Sequence, residues 1–300
     1  MKSMKKEFSF KDRFKNILML GNGHVPAFLY CGGKPVLFDP GVSAFGPLYL
    51  EKIKQNLSDP SSLILALTHS HFDHCGAVPY LLRNIPGIKV AASEKAADVI
   101  LRPNAVELMK RLNQEYEKEM KDELLGKDVS FEAFEVAIRL KEGDVLKLGN
   151  DSCRIFETPG HTRDCLSYFF PEKGVLFCGE AAGVAEGSFI HTPFLTSFED
   201  YLLSLKKIAG LKPEVLCIAH NGILTGEDIN LFISAAIDAV NEYKDMIENY
   251  LNKYDGEQDK VVERITMEEY DSKDEHMQNR DPFMLNLRAK VSAVARMIEG

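Results

Sequence analysis

Up to about residue 224 the chain alternates short apolar runs with stretches carrying an apolar residue every three or four positions, the pattern of strands interleaved with amphipathic helices. The runs predict strands near 16–20, 26–31, 35–38, 63–68, 88–92, 152–157, 167–170, 174–178 and 215–218. Between the fifth and sixth runs, Pro103 to Gly126 is rich in Glu, Lys, Leu and Met and reads as a charged, solvated helix with room for a role in covering a pocket. Ser197-Phe198-Glu199-Asp200 and Thr225-Gly226-Glu227-Asp228 both have the form of a helix start, a capping hydroxyl with an acid three residues on. The second opens a long helix that sets Ile229, Phe232, Ile233, Ala236, Val240, Tyr243, Ile247 and Tyr250 on one face. Tyr254 to Pro282 is dense in Asp, Glu, Lys and Gln, which predicts a mobile or loosely helical connector before a last helix from Met284 to Ile298. Two parts follow: an α/β unit over residues 1–225 and a helical extension over 226–300, whose apolar stripe needs a surface to pack on.

Composition narrows the setting. Three hundred residues, 45% of them hydrophobic, can bury a sizeable core. A formal charge of −9 argues against a nucleic-acid surface, which needs a basic groove. The apolar stretch Ile17-Leu18-Met19-Leu20 is too short for a signal peptide or a membrane span. Six cysteines spread singly, with no CxxC pair, suit a reducing, cytoplasmic compartment. The expected partner is a small molecule, with no nucleic acid and no membrane, and a homodimer stays open.

The chemistry is concentrated at strand ends. Thr68-His69-Ser70-His71-Phe72-Asp73-His74-Cys75-Gly76 packs three histidines and a carboxylate into six consecutive positions after the run Leu63 to Leu67. His69 and His71 are two apart, so an extended chain aims both imidazoles the same way, while Asp73 and His74 continue into a turn. Imidazole and carboxylate, without thiolates, is the donor set of a hydrolytic metal site more than of a structural one. Three further β-like runs end in a ligand-type residue: 154–160 leads to His161, 174–179 to Glu180, and 215–219 to His220. Strand ends and the loops after them are where sites are assembled on a rigid scaffold.

His69-x-His71-x-Asp73-His74 resembles the HxHxDH signature of the metallo-β-lactamase superfamily. That resemblance implies an αβ/βα four-layer sandwich, with His69, His71 and His161 holding one metal, Asp73, His74 and His220 a second, and Glu180 in the place of the bridging carboxylate. Asp39, in Val36-Leu37-Phe38-Asp39-Pro40-Gly41, matches the family's supporting aspartate behind the ligands. Glu180 departs from the family's usual aspartate by one methylene, and Asn221 stands where glycine is more usual. Within the superfamily, residues 17–225 are similar to the thioesterases that cleave 2-aminobenzoylacetyl-CoA in alkylquinolone signalling, through segments such as His24 to Tyr30, Ala92-Ser93-Glu94 and Arg111-Leu112-Asn113.

The resemblance implies an enzyme holding two divalent ions, zinc, iron or manganese, that share a hydroxide able to attack a carbonyl carbon. Asp73 would orient that hydroxide and carry a proton to the leaving group. A thiolate leaves with little help, so a thioester or related ester is expected. Two alternatives remain at this stage: a lactonase of acyl-homoserine-lactone type, and a regulatory or binding protein whose metal site is largely structural.

Overall fold

The computed structural model describes residues 8–186, 189–272 and 280–299. A seven-stranded sheet runs in chain order through Arg13–Phe14, Ile17–Gly21, Pro26–Tyr30, Val36–Phe38, Ile64–Ala66, Lys89–Ser93 and Ile138–Leu140. Its first three pairings are antiparallel and its last three parallel. A six-stranded sheet is ordered Gly222–Thr225, Val215–Ile218, Val175–Phe177, Leu166–Phe170, Asp151–Glu157 and Val145–Leu148. Only the pairing of Val175–Phe177 with Val215–Ile218 is parallel.

Alternation along the central strands explains the layers. Phe28, Tyr30, Val36, Phe38, Ile64 and Ala66 face Ile155, Tyr168, Phe170, Val175, Phe177 and Cys217 in the core between the sheets. The Phe38 and Phe177 rings stack there at 3.9 Å. The intervening residues Ala27, Leu29, Leu37, Leu65 and Leu67 point the other way, onto the helices Gly46–Asn56, Val78–Asn84 and Glu94–Ile100 through Tyr49, Ile53, Leu81 and Ala97. On the second sheet Leu176, Cys178, Leu216 and Ile218 pack outward on Ile208, Ile229, Phe232 and Ile233. Strands buried on both faces read as unbroken apolar runs, which is why these were visible in the sequence. The chain thus forms the expected four-layer α/β sandwich.

Several expectations need correction. Strands at 13–14, 138–140, 145–148, 184–186, 189–191 and 222–225 were not predicted; all are short, and 13–14, 138–140, 145–148 and 189–191 carry mixed or exposed patterns. Ser197 caps the helix Phe198–Leu211 as expected, accepting from the Asp200 amide at 3.1 Å. Thr225 does not cap its helix. It ends the strand Gly222–Thr225, its hydroxyl takes a bond from Lys11 Nζ, and the N-cap of Glu227–Lys253 is Gly226 at φ 68° without a side-chain cap. The charged segment after Pro103 forms Pro103–Glu119 and a short Lys121–Leu124. Much of the expected connector is an ordered helix, Gln258–Glu269, whose Val261, Val262 and Ile265 are buried against Leu251, Leu287 and Val291. Few aliphatics sufficed because they fall three and four apart on one face. Residues 273–279 of that connector lie outside the described residues. The final helix spans Arg280–Glu299. Together these C-terminal helices close a core with Phe194, Phe198, Tyr201 and Leu205 of the Phe198–Leu211 region.

Candidate metal centre

Val36–Phe38, Ile64–Ala66, Asp151–Glu157, Val175–Phe177 and Val215–Ile218 all end on one edge of the sandwich, and the loops leaving them carry Asp39, His69 to His74, His161, Glu180 and His220. Backbone strain marks these turns. Asp39 and His220 sit in the left-handed region at φ 49° and 58°, which non-glycine residues adopt seldom and mostly where the surroundings impose it. Before Glu180, Gly179 has φ 55°, and a Cβ there would come within 2.4 Å of Thr68 Oγ1. Before His161, Gly160 passes so close to Tyr201 that a Cβ would lie 2.3 Å from its backbone. Both glycines let a ligand loop lie flat against its neighbour.

All seven residues expected as ligands converge. His69, His71, His161 and Glu180 form one group, and Asp73, His74 and His220 another, the candidate donor atoms of each group lying within 4.8 Å of one another. Glu180 faces both. Its Oε2 lies 2.7 Å from His161 Nε2, 3.2 Å from His69 Nε2 and 3.5 Å from His74 Nε2, while Oε1 lies 3.5 Å from His220 Nε2. Asp73 Oδ2 lies 3.5 Å from His220 Nε2 and 3.9 Å from His74 Nε2. His71 Nδ1 and His161 Nε2 approach to 3.1 Å.

A second layer sets the rings. Asp39 accepts from the Thr68 amide and hydroxyl, each at 2.7 Å, and the Thr68 oxygen lies 3.1 Å from His69 Nδ1. Asp39 Oδ2 is also 3.1 Å from His74 Nδ1, a close but bent contact. One carboxylate therefore steadies a ring in each group. His161 Nδ1 donates to the Pro193 carbonyl at 2.6 Å and His220 Nδ1 to the His24 carbonyl, which leaves both Nε2 lone pairs turned inward. Tyr201 donates to the Glu180 carbonyl at 2.9 Å. Composition and spacing had not flagged Thr68, Pro193 or Tyr201 for these supporting roles. Asn221, to which no role was attached, bonds the Ala185 amide and carbonyl at 2.8 and 2.9 Å and so ties the His220 loop to the hairpin strand Val184–Glu186. Its identity beside a ligand-type histidine was the one signal available.

The electrostatics are unequal. Burial, reinforced by the neighbouring His74, His71 and His161, holds His69 well below the usual imidazole range, and burial beside His161 takes His71 down to about 4. Burial also opposes charge on His74 and His220, but Asp39 and Asp73 around the first, and Glu180 and Asp73 around the second, outweigh it and raise both. Glu180 is held well below the ordinary carboxylate range: burial opposes this, and His161, His220 and His69 overcome it. The buried Nε2 atoms of His69 and His74 make no hydrogen bond. Buried polar atoms left unpaired are costly, and inward lone pairs set among imidazoles and carboxylates fit a divalent cation in each group.

Comparison with known proteins agrees with the fold. The family model described as the metallo-beta-lactamase superfamily matches residues 20–220. The chain belongs to that superfamily. A metallo-beta-lactamase fold-containing protein of Sulfurisphaera tokodaii is 28% identical over 208 residues, 66% of this chain and 73% of its own length. A hydroxyacylglutathione hydrolase of Buchnera aphidicola is 28% identical over 63% of this chain and 58% of its own. An acyl-coenzyme A thioesterase of Gallus gallus is 28% identical over 51% of this chain and 52% of its own. The match thus spans little more than half of those two hydrolases. Among solved structures, a metallo-beta-lactamase family protein of Thermus thermophilus superposes with a TM-score of 0.64 over 95% of this chain and 93% of that one, at 18% identity. No helix among the described residues is long and apolar enough to cross a membrane.

Proposed function

We propose that this superfamily member is a dinuclear-metal hydrolase of small-molecule thioesters, acyl-CoA-like in kind. The observation that carries the reading is Glu180, whose two carboxylate oxygens contact ring nitrogens from both ligand groups. His69, His71 and His161 would hold one cation, Asp73, His74 and His220 the other, and the longer glutamate would reach between them. When bound, the cations would supply Lewis acidity toward a carbonyl and lower the pKa of a water between them.

The chain's own residues do the rest. Asp73, half-buried at the lip of the site, is placed to accept a proton from the attacking water and to pass it to the departing group. The other carboxylate behind this group, Asp39, is already occupied by Thr68 and His74. A thiolate needs little protonation to leave, so one carboxylate is enough for a thioester, whereas an amide would demand a stronger acid. Two of the relatives named above act on acyl groups carried by glutathione or coenzyme A, where the acyl link is to sulfur. Six free thiols, five of them buried, suit a reducing compartment such as the cytoplasm.

Metal-loaded protein should hydrolyse members of a thioester panel, 2-aminobenzoylacetyl-CoA among them, faster than acyl-homoserine lactones or amides, and Asp73→Asn should keep the ion of the first group, weaken the second and lose turnover. Faster turnover of lactones than of any thioester would move the assignment to a lactonase. Absence of hydrolysis on the whole panel by protein with both sites filled would favour a binding role.

A further inference from the structure

One strand along the sandwich edge from the metal centre, a cleft of about 300 Å³ opens between the ends of the two sheets. Ser93 and Leu140, opposite each other at the ends of neighbouring parallel strands, line it from the seven-stranded sheet. Glu157 and Leu166, opposite each other in the six-stranded sheet, line its other side. Both flanks run into candidate ligand segments: Ile64–Ala66, which leads to His69, pairs with Lys89–Ser93, and Asp151–Glu157 leads to His161. The wall shared with the metal centre is thin. Asp164, buried in the floor of the cleft, accepts from the Ser70 amide at 2.9 Å, and Ser70 stands between His69 and His71. The Leu166 amide donates to the Thr68 carbonyl at 2.7 Å, and the Ser93 hydroxyl to the Asp164 carbonyl at 2.9 Å.

The charges around this cleft do not cancel. Glu157 Oε2 lies 3.8 Å from Lys95 Nζ, Asp164 is held by the Ser70 amide, and Glu94 sits in the first turn of the helix Glu94–Ile100, where negative charge is favoured. Lys141 and Arg163 also line the cleft, and among the described residues neither the ammonium nor the guanidinium has an ion pair or a hydrogen bond. Lys141 directly follows the strand Ile138–Leu140. Arg163 stands two residues past His161, so their Cα atoms lie within about 7 Å of each other. Both cations are exposed at the mouth, above the buried Cys165 and Leu166. A guanidinium and an ammonium lining one small cleft suit an oxyanion, which the guanidinium can bind through two parallel hydrogen bonds.

We propose that this cleft is a substrate subsite, in which Arg163 and Lys141 hold a carboxylate or phosphate carried roughly 10 Å from the scissile carbonyl. This rests on the thioesterase reading above. The distance follows from the sheet: two strand spacings of about 4.8 Å separate the strand leading to His69 from the one that ends at Leu140. The oxyanion can belong to either half of a thioester, the acyl chain or the departing thiol. In both cases the cleft fixes the substrate at a second point along the sandwich edge, an anchor that a neutral thioester lacks.

The test compares wild type, Arg163→Gln, Arg163→Lys and Lys141→Gln, all metal-loaded, on two matched pairs of thioesters. One pair puts the carboxylate on the acyl side, suberyl against octanoyl thioesters of N-acetylcysteamine. The other puts it on the thiol side, acetyl thioesters of N-succinylcysteamine against N-butyrylcysteamine. Wild type should favour the anionic member of one pair about tenfold in kcat/KM, and that pair identifies the half of the substrate held in the cleft. Arg163→Gln should cut this preference about fivefold and Lys141→Gln about threefold, mainly through KM, with Arg163→Lys recovering part of the loss. Raising salt from about 0.05 to about 0.5 M should shrink the preference more in wild type than in Arg163→Gln. No preference within either pair, or a preference untouched in both folded, metal-loaded Gln variants, would overturn the assignment. Calorimetric binding of suberate against octanoate, and of the two free thiols against each other, reads the same site without turnover. If no thioester is hydrolysed yet the anion's advantage in binding depends on Arg163 and Lys141, the cleft stands and the thioesterase reading falls. Should Arg163→Gln lose metal through its nearness to His161, Lys141→Gln carries the same comparison.

Discussion

The two candidate ligand groups both contact one carboxylate, Glu180, but are poised differently. In the first, His69 and His161 are almost wholly buried, and His69 and His71 are held neutral by burial and by neighbouring imidazoles. In the second, Asp73 and His220 reach the lip of the site, and His74 and His220 are surrounded by acids that favour their protonated forms. A cation entering the first group would meet free lone pairs, whereas one entering the second would have to displace protons. The three carboxylates around the second group, Asp39, Asp73 and Glu180, would serve as ligands or ligand supports for a cation there. The difference teaches that a symmetric-looking set of seven residues can make a tight site and a conditional one.

Replacing Glu180 should do the most damage, because it removes the contact common to both groups. Glu180→Ala is expected to lower turnover more than about 100-fold, beyond the range of an outer contact, and to cost at least one ion by elemental analysis. Full activity with two ions would make Glu180 an ordinary loop acid. His220→Ala comes next: it should leave one tightly held ion per chain, in the first group. Loss of both ions together would erase the inequality argued above.

Acid should separate the groups without mutation. His74 and His220 have raised pKa values, so they hold protons more firmly than ordinary imidazoles, and metal affinity there falls as pH drops through those values, by up to about tenfold per unit for each proton displaced. His69 and His71, shifted down, stay deprotonated over the same range. Titrating loaded protein from about pH 8 to about pH 5.5 should release one ion well before the other, and simultaneous release would contradict the assignment. Asp39→Asn should have a smaller effect, weakening the second ion about 10- to 100-fold through His74 and the first less, through Thr68 and His69. Smallest is Glu180→Asp, expected to keep both ions and change turnover several-fold, because charge is retained and only reach is lost.

How legible this was follows from where each residue sits. His69, His71, Asp73 and His74 occupy one short segment, so their cooperation showed in the chain itself. His161, Glu180 and His220 each close an apolar run, and a buried strand followed by a ligand-type residue is a local signal even when its partners are far away. Tyr201 and Pro193 carry no such signal, because their roles depend on the Phe198–Leu211 helix folding back over the strand ends. The helix Gln258–Glu269 reads in the sequence only as a mobile or loosely helical connector, for a related reason. Three buried aliphatics hold it against other helices, a tertiary effect that overrides a polar composition.

The central claim is that Glu180 joins two cation sites. Locating the ions by anomalous scattering, in crystals of the chain loaded with excess zinc, tests it most directly. The account predicts two ions, one among His69, His71 and His161 and one among Asp73, His74 and His220, each with a Glu180 oxygen in its coordination shell. A single ion, or two ions with Glu180 bound to neither, would contradict it.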